Sequence, residues 1–109
     1  MKKVKAYVRT SKVEDVVRGL AEIGVEGVSL VDVMGIGSLA DPEESSYTLR
    51  ASARYAKLTK LEVVCKESQV EQIVATIRER AYTGLKGDGM VLVSPLTKVV
   101  HIRTGIKQT

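Results

Sequence analysis

Hydrophobic and polar positions repeat along this chain with two periods, and each period occurs twice. Val4, Ala6 and Val8 alternate with Lys3, Lys5 and Tyr7, the two-residue repeat of a strand with one buried face. From Ser11 the period lengthens. Val13, Val16, Val17 and Leu20 fall on one side of a helix, because positions three and four apart share a helical face. Ser11-x-x-Glu14 predicts a capping box, in which the two side chains satisfy orphan N–H groups of the first turn. Gly24 is placed to stop the helix. Gly27 to Gly35 follows as a second strand, with Val28, Leu30, Val31 and Val33 supplying β-branched and aliphatic bulk.

The pattern then breaks from about Ile36 to Leu58. Asp41-Pro42-Glu43-Glu44-Ser45-Ser46 is polar and acidic, and Tyr47, Arg50, Arg54 and Tyr55 follow it. A loop of about twenty residues without secondary structure is uncommon in a compact domain and is usually functional or disordered. This segment, 36–58, is expected to project. Alternation resumes with Leu61, Val63 and Cys65 against Lys60, Glu62 and Val64; Ser68-x-x-Glu71 repeats the capping signal, and Val70, Ile73, Val74 and Ile77 share a helical face. Shifting the chain by 57 residues pairs Val4 with Leu61, Ser11 with Ser68, Val16 with Ile73 and Leu20 with Ile77. The chain is an internal duplication.

Two copies of strand, helix, strand give β-α-β-β-α-β, an α+β ferredoxin-like sandwich within one domain, 1–109. Both helices cover one face of a four-stranded antiparallel sheet. The other face, with Tyr7, Val31 and Val64, is left for another chain to cover. Oligomerisation is expected. The tail from Ser94 carries its own alternating run, Val99 to Arg103, which predicts a C-terminal extra strand reaching towards a neighbour.

Between the second helix and the last strand of the sandwich stands Thr83-Gly84-Leu85-Lys86-Gly87-Asp88-Gly89. Three glycines in seven residues fit two readings: a plain turn, or a loop whose main-chain N–H groups approach an anion closely. Composition bears on the choice. Net charge of +4 permits a phosphate-bearing ligand but falls short of a nucleic-acid footprint. Without Phe or Trp, base-stacking platforms are few. The single Cys65 forms no intramolecular disulfide and reads as a small buried hydrophobe. No run is long and apolar enough to span a membrane, and a strand pattern stands where a signal peptide needs its apolar core. A cytoplasmic protein without direct membrane insertion is expected. A lone His101 lacks a metal-ligand set, and no nucleophile stands beside a base. An enzyme is not expected.

The ordered set Lys3-Val4, Gly24-Val25-x-Gly27, Gly35-x-Gly37, Lys60-x-Glu62-Val63-Val64, Thr83-Gly84-x-x-Gly87-Asp88-Gly89, Val93-Ser94-Pro95 and Ile102-Arg103-Thr104-Gly105 resembles the nitrogen regulatory PII signalling family over nearly the whole chain. The resemblance implies a homotrimer with the open sheet faces at its centre and adenine nucleotides in clefts between subunits. It also implies that the long loop is the family's T-loop, which contacts a target enzyme, transporter or regulator. Carried over, Gly87, Asp88 and Gly89 form the phosphate cradle with Arg103, while Gly35 and Gly37 bring the loop base close. Tyr7, Ser29 and Val64 surround the adenine, and Glu62 and Thr83 line the cleft. Tyr47, Arg50, Arg54 and Tyr55 are the partner-contact positions.

Departures from the family pattern are concentrated around the phosphates. Ser38 and Leu39 stand for arginine and glutamine, Met90 for lysine, His101 for arginine, and Leu58 for the lysine that contacts 2-oxoglutarate. The uridylylated tyrosine aligns with Ala51. Lys86 replaces an apolar residue and restores one charge if it faces the ligand. ADP or AMP is therefore expected to be favoured over ATP as the regulatory ligand, with no cofactor and no metal. His101, if it faces the phosphates, donates only when protonated. Two other functions fit the fold: a trimer sensing another small ligand such as bicarbonate or a metal ion, and a nucleic-acid-binding domain, which the scarcity of aromatics disfavours.

Overall fold

Strand β1 (Lys2–Arg9) carries the two-residue alternation into three dimensions: Val4, Ala6 and Val8 are buried, and Lys3, Lys5 and Tyr7 lie half-buried on the other face. In this computed structural model, which describes residues 1–39, 46–48 and 53–108, β1 is central. It pairs antiparallel with β4 (Ala53–Cys65) and with β5 (Met90–Pro95). The far edge of β4 takes β2 (Ser29–Ile36), giving the order β2-β4-β1-β5. Helices α1 (Val13–Glu22) and α2 (Val70–Ala81) pack against each other and cover one sheet face. The ferredoxin-like α+β fold is therefore present, and the two helices begin at positions matched by the repeat.

The core is aliphatic, as the absence of Phe and Trp requires. Val16, Leu20, Ile73 and Ile77 of the helices are fully buried with Val4 and Leu61 of the sheet. Each such side chain contributes roughly 1.5–3 kcal/mol by leaving water. Cys65 belongs to this cluster, and burial pushes its thiol pKa up. Across the helix pair, Arg80 binds Asp15 and Glu22 at 2.8 Å each. Gly19 makes room for that side chain, since a Cβ there would stand 3.1 Å from Arg80 Cγ.

Neither helix begins with the expected serine cap. A 3-10 turn, Thr10–Lys12, leads into α1, and no side chain caps it. The turn is pinned to the sheet instead, through the Thr10 and Thr59 hydroxyls 3.1 Å apart. Before α2 a second 3-10 turn, Glu67–Gln69, is held by the Gln69 side chain, which accepts the Lys66 N–H at 2.9 Å. A tertiary contact and a neighbouring amide thus do the work assigned to Ser11 and Ser68. The stop at Gly24 is as expected: φ is +91°, the Gly24 N–H bonds Ala21 O and the Val25 N–H bonds Leu20 O, both at 3.0 Å. That is a Schellman motif.

Two further expectations hold with narrower bounds. The long connection between the two halves is shorter than 36–58, because β2 continues to Ile36 and β4 starts at Ala53. A short β3 (Ser46–Thr48) pairs with the start of β4, setting Ser46 opposite Tyr55 and Tyr47 opposite Arg54. Ladder pairing gives these backbone groups the partners a loop would lack. Arg50 and Ala51 lie outside the described residues. The C-terminal extra strand is present but stops at Val100. Strands β6 (Val99–Val100) and β7 (Lys107–Gln108) form a separate hairpin, and the Gly105 N–H bonds His101 O at 2.7 Å, curling His101 to Gly105 into a turn.

The second sheet face is open as expected, with Val31, Val64 and Met90 about half exposed. Gly24→Ala places a Cβ in the left-handed region and should lower stability by about 1 kcal/mol. Gly27→Ala, with nothing within 4 Å of the added Cβ and no positive φ, should leave stability unchanged or slightly raised. Urea unfolding of the two variants measures the contrast.

Candidate functional site: a glycine-rich loop beside an open sheet face

The chain between α2 and β5 is held by one carboxylate. Asp88 Oδ2 accepts the N–H groups of Thr83 at 2.9 Å and Gly84 at 3.0 Å, while Oδ1 accepts the Thr83 hydroxyl and Arg9 Nε–H, the latter at 3.0 Å. Burial alone would raise the Asp88 pKa. The donors from Thr83, Arg9 and Gly84 outweigh it and hold the carboxyl at about 2. Arg9, the last residue of β1, is 5% exposed and also donates from Nη2 to Lys86 O at 2.9 Å.

This answers part of the choice between turn and cradle. Gly84, Gly87 and Gly89 all have φ between +85° and +95°, a region that favours glycine. At Gly89 a Cβ would also be driven into the carbonyl oxygen of Tyr7. The glycines are thus required by the path of the chain, and Asp88 acts inside the loop, with its oxygens occupied by the chain's own donors.

The sheet register sets other expected residues on the open face. Ser29 lies opposite Glu62, Glu62 opposite Lys5, and Tyr7 between Lys60 and Met90. Side chains paired across antiparallel strands share a face, so Tyr7, Ser29, Glu62 and Val64 lie on one surface. Cations accompany them: Lys60 Nζ is 3.8 Å from Glu62, and Lys5 Nζ is 6.0 Å from the Tyr7 ring centroid.

Within one chain the expected site residues do not meet in one cleft. Ser29, Val64 and His101 line a cleft of about 810 Å³ walled partly by the tail hairpin. Tyr7, Asp88 and Gly89 line another of about 370 Å³, with Met90 and Tyr82. His101 Nε2 stands 2.8 Å from Gln108 Oε1 across the hairpin, and Arg103 is exposed on its turn. At the loop base, Gly37 has φ +72° and Gly35 is buried against Leu58 and Leu39. Arg9 is the residue that sequence reading missed. It continues the polar face of β1, and its partner stands 79 residues further on. Among the described residues there is no group of three or more potential metal ligands, and no helix is long and apolar enough to cross a membrane.

A ferredoxin-like sandwich with a carboxylate-braced glycine loop and an extended β2–β4 hairpin defines the class. The profile of the family described as Nitrogen regulatory protein P-II matches residues 1–106, and the chain belongs to that family. It is a signal-transduction regulator of that family, whose members are regulators rather than enzymes. Over 107 residues it is 34% identical to the nitrogen regulatory protein P-II of Azospirillum brasilense, covering 98% of this chain and 96% of the relative. It is 31% identical to the nitrogen regulatory protein GlnK of Escherichia coli strain K12 over 105 residues, 96% of this chain and 94% of the relative. With the P-II homolog of Arabidopsis thaliana it shares 38% over 104 residues, 94% of this chain and about half, 53%, of that protein.

Asp88 is held at about 2, below its ordinary 3.8, so the folded chain binds this proton more weakly than the unfolded chain. The resulting stability is complete above about pH 4 and is lost as pH falls through about 2. Asp88→Asn should therefore cost about 1–3 kcal/mol at pH 7 and flatten the acid limb between those pH values, as urea unfolding at several pH values will measure. Gly89→Ala should disturb the β1–β5 pairing beside Tyr7, visible as lost amide protection in β5.

Proposed function

We propose that this chain is a cytoplasmic P-II regulator that binds ADP or AMP in preference to ATP in clefts between the subunits of a homotrimer, and that it controls a partner enzyme, transporter or regulator through the segment between β2 and β4. The observation that carries the reading is the glycine-rich loop. Asp88 and Arg9 hold its backbone in place before any ligand arrives, and preorganised main-chain donors are what a phosphate needs. Because Ser29, Val64 and His101 lie apart from Gly87 and Gly89 within one chain, a site using all of them takes them from two neighbouring copies. The half-exposed apolar residues of the open face support the association. Gly35, Gly37, Glu62, Thr83 and Arg103 complete the proposed nucleotide site, and Tyr47, Arg50, Arg54 and Tyr55 the proposed partner surface.

Preference for fewer phosphates follows from what stands after the cradle. Met90 supplies no charge there, and His101 is hydrogen-bonded within its own hairpin. Each charge-assisted hydrogen bond lost to a phosphate removes roughly 1.5–3 kcal/mol. Leu58 is 1% exposed and packs at Gly35, which supports the absence of a charged 2-oxoglutarate contact at that position.

Titration calorimetry with AMP, ADP and ATP, with and without magnesium, tests this. ADP or AMP should bind about tenfold or more tightly than ATP, because a terminal phosphate taken into the cleft without its charged partners bears an uncompensated desolvation cost of at least that size, and 2-oxoglutarate should add nothing. Tight magnesium-dependent ATP binding that 2-oxoglutarate strengthens would refute it.

A further inference from the structure

One end of the open sheet face is covered by two loops, and both are fastened to the same cross-strand pair. Arg9 of β1 lies directly opposite Leu58 of β4, which puts their side chains on one face with Cβ atoms about 5 Å apart. Both are buried, although they sit away from the helices. Leu58 and Ala56 are buried hydrophobics that do not belong to the main core cluster. Leu58 packs against the base of the segment that follows β2: its Cδ1 comes within 2.5 Å of the point a Gly35 Cβ would occupy, and Leu39 Cβ lies 3.2 Å from that same point. Gly35 is thus the hollow into which Leu58 and Leu39 fit. On the β1 side of the pair, Arg9 reaches Asp88 and the Lys86 carbonyl, and so holds the glycine-rich loop.

We infer that the Arg9–Leu58 pair is the joint through which the loop base after β2 and the glycine-rich loop act on each other, by packing and hydrogen bonding rather than through a metal ion or a second ligand. Close-packed interiors favour discrete arrangements over gradual deformation. Lifting Leu39 from Leu58 opens a void beside Arg9. The guanidinium can then follow the void only by loosening the bonds that aim Asp88 at the Thr83 and Gly84 N–H groups. In the other direction, a ligand that fixes the glycine-rich loop fixes Arg9 and favours the seated Leu39, as reciprocity of coupling requires. The regulatory meaning of this joint rests on the reading of the glycine-rich loop as an anion cradle; the mechanical coupling does not.

The test measures amide exchange in the ligand-free full chain at Thr83 and Gly84, whose N–H groups Asp88 holds. Leu58→Ala should raise exchange at both by about threefold or more, Leu58→Met should stay near wild type, and Val16→Ala, a truncation in the core on the opposite face, should not reproduce the local change. Unaltered exchange at Thr83 and Gly84 in Leu58→Ala, or an equal rise in Val16→Ala, overturns the coupling. If Leu58→Ala does not fold, Leu39→Ala, at the rim of the same contact, is read by the same two criteria. ADP is then titrated separately: a wild-type chain that does not bind it refutes the nucleotide reading and leaves the exchange result to decide the coupling by itself.

Discussion

A guanidinium that is almost entirely removed from water has to be answered by charge and by acceptors, because leaving it unmatched costs several kcal/mol. Arg9 is in that position, and the whole 83–89 segment is shaped by meeting its demand. Asp88 provides the charge and Lys86 a carbonyl. To bring both to the end of β1 the chain has to bend through left-handed conformations at Gly84, Gly87 and Gly89. The backbone N–H groups left pointing at Asp88 then lower its pKa and tighten the turn further. Glycine spacing, strand end and acidic residue are therefore parts of one electrostatic solution.

The same sheet residue stands at the edge of a second constraint. A duplicated strand–helix–strand unit buries one face of its sheet and leaves the other to be covered by something else. Here the far end of that face is closed from within, by Leu39 and Leu58 meeting over Gly35, whereas the middle remains open with Val31, Val64 and Met90 half exposed. The open and closed parts abut at the Arg9–Leu58 pair. Whatever covers the middle of the face accordingly lies next to both loops.

How much of this could be read beforehand depends on the range of the interaction. Periodicity located both helices and the strands because it records burial, and burial is decided within a few residues of sequence. Gly24 was legible as a stop for the same local reason. The capping boxes at Ser11 and Ser68 misled because a Thr10–Thr59 contact and the Gln69 side chain compete for those turns, and the first is 49 residues apart in sequence. Strand at the base of the long loop was missed because Ala53 to Leu58 lacks clean alternation; it is the pairing with β2 and β3 that makes it strand. The glycine loop was visible as three glycines and one carboxylate. Its dependence on Arg9 was not, since nothing local distinguishes that arginine from the lysines before it on the strand.

The tail hairpin has an implication of its own. It is joined by two residue pairs, Val99 with Gln108 and Val100 with Lys107, in a sheet separate from the main one, and a two-stranded hairpin is at most marginally stable in isolation. Yet it forms one wall of the cleft of about 810 Å³ and carries His101 on it. None of its residues belongs to the buried aliphatic cluster, so substitutions in the hairpin can reshape that wall while the core stays intact. The shape of that cleft is therefore set by a part of the chain on which the fold depends least.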